Sequence, residues 1–333
     1  MITDTLSRPL HDMRISVTDR CNFRCVYCMP KEIFGRNFQF LSREQLLTFE
    51  EIHALARAFH EIGVRKIRLT GGEPLVRKQI EQLVSMLSTL PDTDLTMTTN
   101  GILLPSAAEK LKSAGLKRVT ISLDSLDNDV FQAMNDVGAS VQDVLLGVEA
   151  AERAGLHPIK INMVVKRGVN EASVLPMARY FKDRGHILRF IEYMDVGNTN
   201  GWRMDDVVPA AEIVEIIGTE MALEPAEANY RGEVANRYRY TDGEGEIGLI
   251  ASVTQPFCQD CTRVRLSADG KLYTCLFAVE GHDLRQAVRS GASHEQLIDT
   301  ISSIWTRRVD RYSELRSAAT EGPQKVEMSY IGG

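Results

Sequence analysis

The chain has 333 residues, 44% of them apolar, and a formal net charge of −6. That length predicts two domains or one large barrel-like unit with a sizeable core, and the acidic balance excludes a broad basic face for nucleic acid. No apolar run reaches membrane-spanning length, and Met1-Ile2-Thr3-Asp4 has neither the basic flank nor the apolar stretch of a signal peptide, so a cytoplasmic protein is expected.

The first predicted strand covers residues 13–18, with Met13, Ile15 and Val17 on one face and Arg14, Ser16 and Thr18 on the other. Directly after it stand Cys21, Cys25 and Cys28, half of the chain's six cysteines, spaced C-x3-C-x2-C and followed by Met29-Pro30. In a cytosolic chain, two compact thiol triplets point to metal rather than disulfides. Three soft thiolates on one loop suit an iron-sulfur cluster and hold three corners of a four-iron cube, which leaves one iron open to a further ligand. A zinc site or chance clustering is the alternative, although no fourth Cys or His lies in the loop.

Further strands are predicted over 66–70, 95–100, 118–124, 158–165 and 187–194, and helices over 42–62, 77–90, 105–114, 141–154 and 172–184. This alternation is that of a parallel sheet built from strand-helix-strand units. Ser42 with Gln45 reads as a capping box, and Gly63, Gly115, Gly155 and Gly185 read as left-handed helix ends. Within the strands, Ile67, Leu69, Val119, Ile121, Leu123, Ile159, Ile161 and Met163 would meet covering helices. Arg68, Arg118, Ser122, Asp124, Lys160 and Asn162 then turn into a polar cavity. A sheet with one solvent-facing side fits the same alternation. Arg189 shares a face with Ile187 and Ile191, which the pattern does not explain. Arg14, Arg68, Lys160 and Arg189 come from four strands, and burying unpaired cations is costly. An anionic ligand is therefore expected among them, and several converging cations suit a polyphosphate. Gly71-Gly72-Glu73-Pro74 follows the second of these strands, where a parallel barrel carries functional loops. Its glycines let a ligand approach the backbone, and Glu73 offers a carboxylate to an ammonium group.

Beyond residue 194 the alternation stops. A turn-rich linker over 195–202 leads to a helix over 209–217 and an irregular, partly β segment over 230–252. Domains are accordingly expected over 1–195 and 196–333. The second triplet is Cys258 and Cys261, spaced C-x2-C, with Cys275 after a hairpin-like turn at 267–271. Zinc, with His282 as fourth ligand, and a second iron-sulfur cluster both fit that spacing. An open iron there would act as a Lewis acid toward a substrate nitrogen or oxygen. Arg263 and Arg265 alternate on one face of a short strand. The terminal Ser329-Tyr330-Ile331-Gly332-Gly333 reads by composition as a loose end.

Cys21/Cys25/Cys28, residues 66–74, Thr98-Thr99-Asn100-Gly101, residues 189–195, Phe257-Cys258, Cys261-Thr262-Arg263, Arg265 and the final Gly332-Gly333 together resemble the GTP 3′,8-cyclases. These are radical S-adenosylmethionine (SAM) enzymes that open molybdenum cofactor biosynthesis, and the likeness covers the whole chain. It implies an α/β fold, an incomplete (βα)6 TIM-like barrel closed by a C-terminal α+β segment. Two 4Fe-4S clusters are implied, on Cys21, Cys25 and Cys28 and on Cys258, Cys261 and Cys275. SAM is implied at Tyr27, Gly72, Glu73, Ser122 and Met194. GTP contacts are implied at Arg14, Arg68, Thr99, Lys160, Arg189, Arg263 and Arg265, and a catalytic part for Arg14, Arg263, Arg265, Gly332 and Gly333, the glycine tail entering the active site. The implied partners are a reductant such as flavodoxin or ferredoxin and the downstream cyclic pyranopterin monophosphate synthase. No nucleic acid or membrane is expected, and the chain would be a monomer or homodimer. Two rival readings are a radical SAM enzyme that modifies a peptide and an iron-sulfur scaffold or electron carrier. The first usually carries more C-terminal cysteines, and the second needs no large polar cavity.

Overall fold

Alternating apolar and polar residues fold as half-buried strands, and here they join one twelve-stranded sheet in a computed structural model that describes residues 1–316 and 325–332. Its middle is β1 (Asp12–Ser16), β2 (Lys66–Thr70), β3 (Asp94–Thr99), β4 (Arg118–Ser122), β5 (Lys160–Val165) and β6 (Ile187–Glu192), which pair in chain order and all parallel. The crossovers are helical: α1 (Phe49–Glu61), α2 (Ile80–Ser88), α3 (Leu104–Ser113), α4 (Asn128–Asn135), α5 (Val141–Arg153) and α6 (Val174–Lys182). Ile67, Leu69, Val119, Ile121, Ile161, Met163, Leu188 and Phe190 are buried in the apolar core. Each such side chain contributes about 1.5–3 kcal/mol by leaving water. Because Leu188 and Phe190 occupy the core side of β6, Arg189 and Ile191 turn to the opposite side. Arg189 therefore joins the inward row, and Ile191 is an apolar member of it.

The chain beyond β6 extends both edges of this sheet. After α7 (Ala210–Gly218), strands β7 (Leu223–Ala226), β8 (Asn236–Tyr240) and β9 (Glu246–Ile250) add to one side, β9 running parallel to β6. Strands β10 (Arg263–Leu266), β11 (Lys271–Tyr273) and β12 (His282–Asp283) add to the other, β10 running parallel to β1. Helices α8 (Leu284–Arg289), α9 (His294–Thr306), α10 (Tyr312–Leu315) and α11 (Met328–Ile331) follow, with α9 packed on α1. No described helix is long and apolar enough to cross a membrane.

Two helices differ from expectation. The helix expected from residue 42 starts at Phe49. Ser42 N–H does donate to Gln45 Oε1 at 2.8 Å, but this closes only a turn, since Leu47 N–H then donates to the Ala268 carbonyl at 2.9 Å and its side chain is buried. The working capping box is Thr48 with Glu51, worth about 1 kcal/mol to the helix start. Helix α4 was not expected. It is capped by Asp127, whose carboxylate accepts from the backbone of Asp129 and Val130. Gly63, Gly115, Gly155 and Gly185 all have positive φ, as expected of left-handed helix ends.

Gly147 sets how closely α5 approaches the loop after β3. A Cβ there would fall 2.2 Å from the Gly101 carbonyl oxygen. Gly147→Ala is expected to destabilise the protein, because overpacking of about 1–3 kcal/mol outweighs the ~1 kcal/mol alanine gains in a helix. A lowered urea midpoint with an unchanged m-value is the expected reading.

Candidate functional site

One cavity of about 520 Å³ runs through the inside of the sheet and is lined by both cysteine triplets and by side chains from all six central strands. Since β10 is parallel to β1, Cys261 lies before the N-terminal ends of these strands and Cys21 beyond their C-terminal ends. The length of the intervening strand, about 17 Å at ~3.3 Å per residue, separates the two sites.

At the C-terminal end, the Cys21–Cys28 loop is held by backbone bonds from Arg24 and Val26 to the carbonyls of Asn135 and Met134 at the end of α4. Cys28 and Met29 N–H both donate to the Cys25 carbonyl. Burial pushes the Cys21 thiol up to about 12, with Glu73 adding repulsion, and pushes Cys25 and Cys28 up as well, Cys21 repelling both. Thiols so placed ionise only against a local cation, which a metal supplies. Among the described residues, no three His, Cys, Asp or Glu side chains are grouped so as to hold one metal ion. Three soft thiols on one loop, with no fourth Cys or His in it, make the donor set that holds three corners of a four-iron cluster.

Gly71 and Gly72 are required by the chain itself. Added Cβ atoms would sit 2.5 Å from the Thr18 carbonyl oxygen and 2.4 Å from that of Arg20. Glu73, 1% exposed, accepts from Leu75 N–H at 3.0 Å, the Thr99 hydroxyl at 2.8 Å and Asn100 N–H at 2.7 Å. Burial raises its carboxyl to about 7 against these bonds. The Thr99 hydroxyl is thus turned to Glu73 at the first triplet's end of the cavity. Tyr27 OH donates to Asp124 Oδ2 at 2.8 Å, Ser122 lines the wall, and Met194 Sδ lies 3.6 Å from Ser252 Oγ. The five expected SAM contacts, Tyr27, Gly72, Glu73, Ser122 and Met194, all line this cavity.

The middle of the cavity is cationic. Sheet register aligns Arg265, Arg14, Arg68, Thr96 and Arg118 in one row across β10, β1, β2, β3 and β4, and Arg189 and Lys160 approach from β6 and β5. Burial lowers Arg14 well below its ordinary value, and Arg265 and Arg68 add repulsion. Burial also brings Arg189 and Arg265 down to about 9, repelled chiefly by Arg68 and Arg263 respectively. Lys160 falls to about 7 by burial and the repulsion of Arg189. Lys66 falls to about 8 by burial, with Asp12 opposing and Arg68 repelling.

At the N-terminal end, Arg263 and Arg308 donate to Cys261 Sγ at 3.3 and 3.2 Å. Although burial acts upward on this thiol, these two cations bring it down to about 6. Burial raises Cys275 to about 11. Arg308 also pairs with Asp310 and Asp4, and Asp4 holds Arg8 at 2.6 Å, which donates to the Cys258 carbonyl. His282 is exposed on the outermost strand and does not line the cavity.

The C-terminal tail enters the same space. Ile331 is fully buried and the Gly332 carbonyl accepts from Arg265 Nη1. A Cβ on Gly332, whose φ is +77°, would lie 2.2 Å from Thr70 Cγ2. Gly333 lies outside the described residues. Strand alternation turns Lys66 and Arg118 to the inward polar face without giving them a ligand, and it leaves out Tyr230 and Arg308, which reach the cavity only through tertiary folding.

The radical SAM superfamily model matches residues 15–181, and that of molybdenum cofactor synthesis C matches residues 186–314. The chain is 56% identical to a GTP 3′,8-cyclase of Acidothermus cellulolyticus, over 100% of this chain and 99% of the relative. The chain belongs to the GTP 3′,8-cyclase family. A GTP 3′,8-cyclase of Staphylococcus haemolyticus is 46% identical over the same shares. Among solved structures, Streptococcus suis SuiB bound to S-adenosylmethionine aligns at a TM-score of 0.60 and 15% identity, over 89% of this chain and 68% of that one. That likeness extends the family's fold to a distant relative. As a cyclase family member and a radical SAM enzyme, the chain uses an iron-sulfur cluster and SAM.

Because Lys160 and Lys66 lose charge when the cavity holds no anion, an anionic ligand must raise their affinity for protons. Inorganic triphosphate is expected to bind with proton uptake at pH 8, and more weakly as pH rises from 7.5 to 9, by up to about tenfold per unit for each lysine. Calorimetry in two buffers of different ionisation enthalpy reads this. Affinity that rises with pH would exclude it.

Proposed function

We infer that this protein converts GTP to (8S)-3′,8-cyclo-7,8-dihydroguanosine 5′-triphosphate, the first step of molybdenum cofactor biosynthesis. The observation that carries the reading is a single cavity with a thiol triplet at each end and a row of cations between them. Cys21, Cys25 and Cys28 would hold a cluster that, with SAM beside it, would supply the one-electron chemistry that activates the GTP ribose for ring closure onto the guanine.

The chain's own residues bind, orient and shield. Arg14, Arg68, Lys160, Arg189 and Arg265 offer the charge density that a triphosphate neutralises, and their burial strengthens each charge-assisted hydrogen bond. Cys258, Cys261 and Cys275 would hold a second 4Fe-4S cluster that would supply a Lewis acid for the guanine. With Arg263 and Arg308 on Cys261, this triplet has at least one thiol poised for metal. Tyr27, Gly72, Glu73, Ser122 and Met194 would hold SAM, the Glu73 carboxylate keeping acceptor capacity for an ammonium. Thr99 would serve GTP only indirectly, since its hydroxyl bonds Glu73. Gly332 would bring backbone groups to the reacting sugar without side-chain bulk. Fixing both reactants in one enclosed space converts a bimolecular problem into an intramolecular one. We further propose that 1–195 serves SAM and 196–333 the guanine, with a flavodoxin or ferredoxin as electron donor and cyclic pyranopterin monophosphate synthase consuming the product.

Anaerobically reconstituted protein with reductant and SAM is expected to release 5′-deoxyadenosine strongly with GTP and weakly with ATP or no nucleotide. Release indifferent to GTP would reopen the substrate. Cys258→Ala should halve the iron content while SAM binding persists, and unchanged iron would refute the second cluster. Loss of Gly332 and Gly333 should spare both clusters and abolish GTP-dependent turnover.

A further inference from the structure

The C-terminal tail is pinned at two places of different chemistry. Its tip is held by the Gly332 carbonyl on Arg265. Its base is held by Asp195, the residue directly after Met194 at the end of β6. Asp195 Oδ2 accepts from Lys325 Nζ at 2.7 Å and from Tyr312 OH at 2.6 Å, and Lys325 Nζ also donates to the Asp195 carbonyl at 2.8 Å. Arg316 Nη2 stands 2.8 Å from Asp195 Oδ1 as an ion pair. The contact thus gathers residues on both sides of 317–324 onto one carboxylate. Around it, Phe277 and Tyr312 stack at 4.5 Å, with Lys325 over the Tyr312 ring and Arg316 over that of Phe277. Phe277 N–H points at Cys275 Sγ at 3.5 Å, so the second triplet's loop shares the joint. Two residues on, Glu327 accepts from Asn198 N–H and the Thr199 hydroxyl, both at 3.0 Å.

We propose that Asp195 is the positioning residue that fastens the C-terminal tail into the cavity, setting the reach of Gly332 toward the reacting sugar. The significance for turnover rests on the reading above that the tail glycines act there. An exposed ion pair would contribute little. Here the Asp195, Arg316 and Lys325 side chains are only 11%, 5% and 12% exposed. Removing the carboxylate leaves two largely desolvated cations without their counter-charge, which pushes the base of the tail outward. The tip would then rest on the buried Ile331, the Glu327 and backbone contacts, and the Gly332 bond to an arginine that GTP also claims.

The test compares wild type with Asp195→Ala, Asp195→Asn, the charge-retaining Asp195→Glu, and Lys325→Met, which breaks the same contact from the tail side. All are reconstituted anaerobically and matched for iron. Hydrogen exchange of peptides covering 325–332 is expected to accelerate at least tenfold in the alanine, asparagine and methionine variants and to recover in part with glutamate. The GTP-dependent kcat should fall at least tenfold with KM changed less than about threefold. Unchanged protection of 325–332 in both Asp195→Ala and Lys325→Met, or full GTP-dependent kcat in variants that have lost that protection, would overturn the proposal. Normal turnover by the truncated enzyme would instead remove the role of the glycines, while hydrogen exchange still decides the fastening.

Discussion

Like charges placed side by side on neighbouring strands are the constraint around which this molecule is arranged. Strands stand about 4.8 Å apart, and two unit charges 5 Å apart repel by about 3 kcal/mol at an effective dielectric of 20. The row Arg265, Arg14, Arg68 and Arg118 imposes such repulsion repeatedly, with only Thr96 interrupting it. Arg68 reaches the Thr98 hydroxyl at 3.4 Å, Arg189 the Asn162 side chain at 2.9 Å, and Arg265 the Gly332 carbonyl, neutral acceptors that do not cancel charge. Arg118 is paired with Asp94, and Asp12 eases Arg14 and Arg68, but these two carboxylates face more cations than they can neutralise. The fold therefore stores an unmet demand for anion in a space too large for side chains to fill, and the apolar face of the same strands supplies the burial that makes this tolerable.

The two thiol triplets sit in opposite electrostatic settings. Around Cys21, Cys25 and Cys28, Glu73, Asp124, Glu327 and the thiols themselves oppose ionisation, and the only charge favouring it is Arg24, at Cys21. Around Cys261, Arg263 and Arg308 favour ionisation. A thiolate ligand on the first loop is then stabilised almost entirely by the metal it binds, and one on the second partly by the protein. Arg263 makes most of that difference, and the Asp4, Arg8 and Arg308 network adds to it, joining the start of the chain to the loop near its end.

Much of the sheet was legible because strand alternation is local. β2 matches its expected limits, and the polar faces of β1, β2, β4 and β5 do line the cavity. β6 misled because Ile191 lines the interior with Arg189, so polarity does not mark its inward face. Helix α1 misled because Ser42 with Gln45 and Thr48 with Glu51 carry the same signal, and the choice was made by Leu47 pairing with Ala268 across more than two hundred residues. Helix α4, eight residues in a gap wide enough for an extra element, was overlooked although Asp127 offers a cap and Phe131 and Met134 share its buried face. The cysteines, Gly71-Gly72-Glu73-Pro74 and the cations were legible as types. That the two glycines clear the carbonyls of Thr18 and Arg20, and that Thr99 serves Glu73, are facts of packing that no spacing encodes.

The position of the second triplet follows from hydrogen-bonded register. β10 pairs parallel to β1 with Asp12 opposite Arg263 and Arg14 opposite Arg265. A slip of one residue would turn both arginines into the core and carry Cys261 with them. Since β1 also leads directly into the Cys21 loop, one strand pair fixes the span between the two metal-binding loops and the cations between them. At the far edge β9 pairs with β6, so the chain after residue 195 closes on both sides of the sheet it extends. Hinged domains would let the two sites vary in separation. A shared sheet does not, and the linker beginning at Asp195 is accordingly occupied with holding the C-terminal tail, whose tip meets β10 at Arg265.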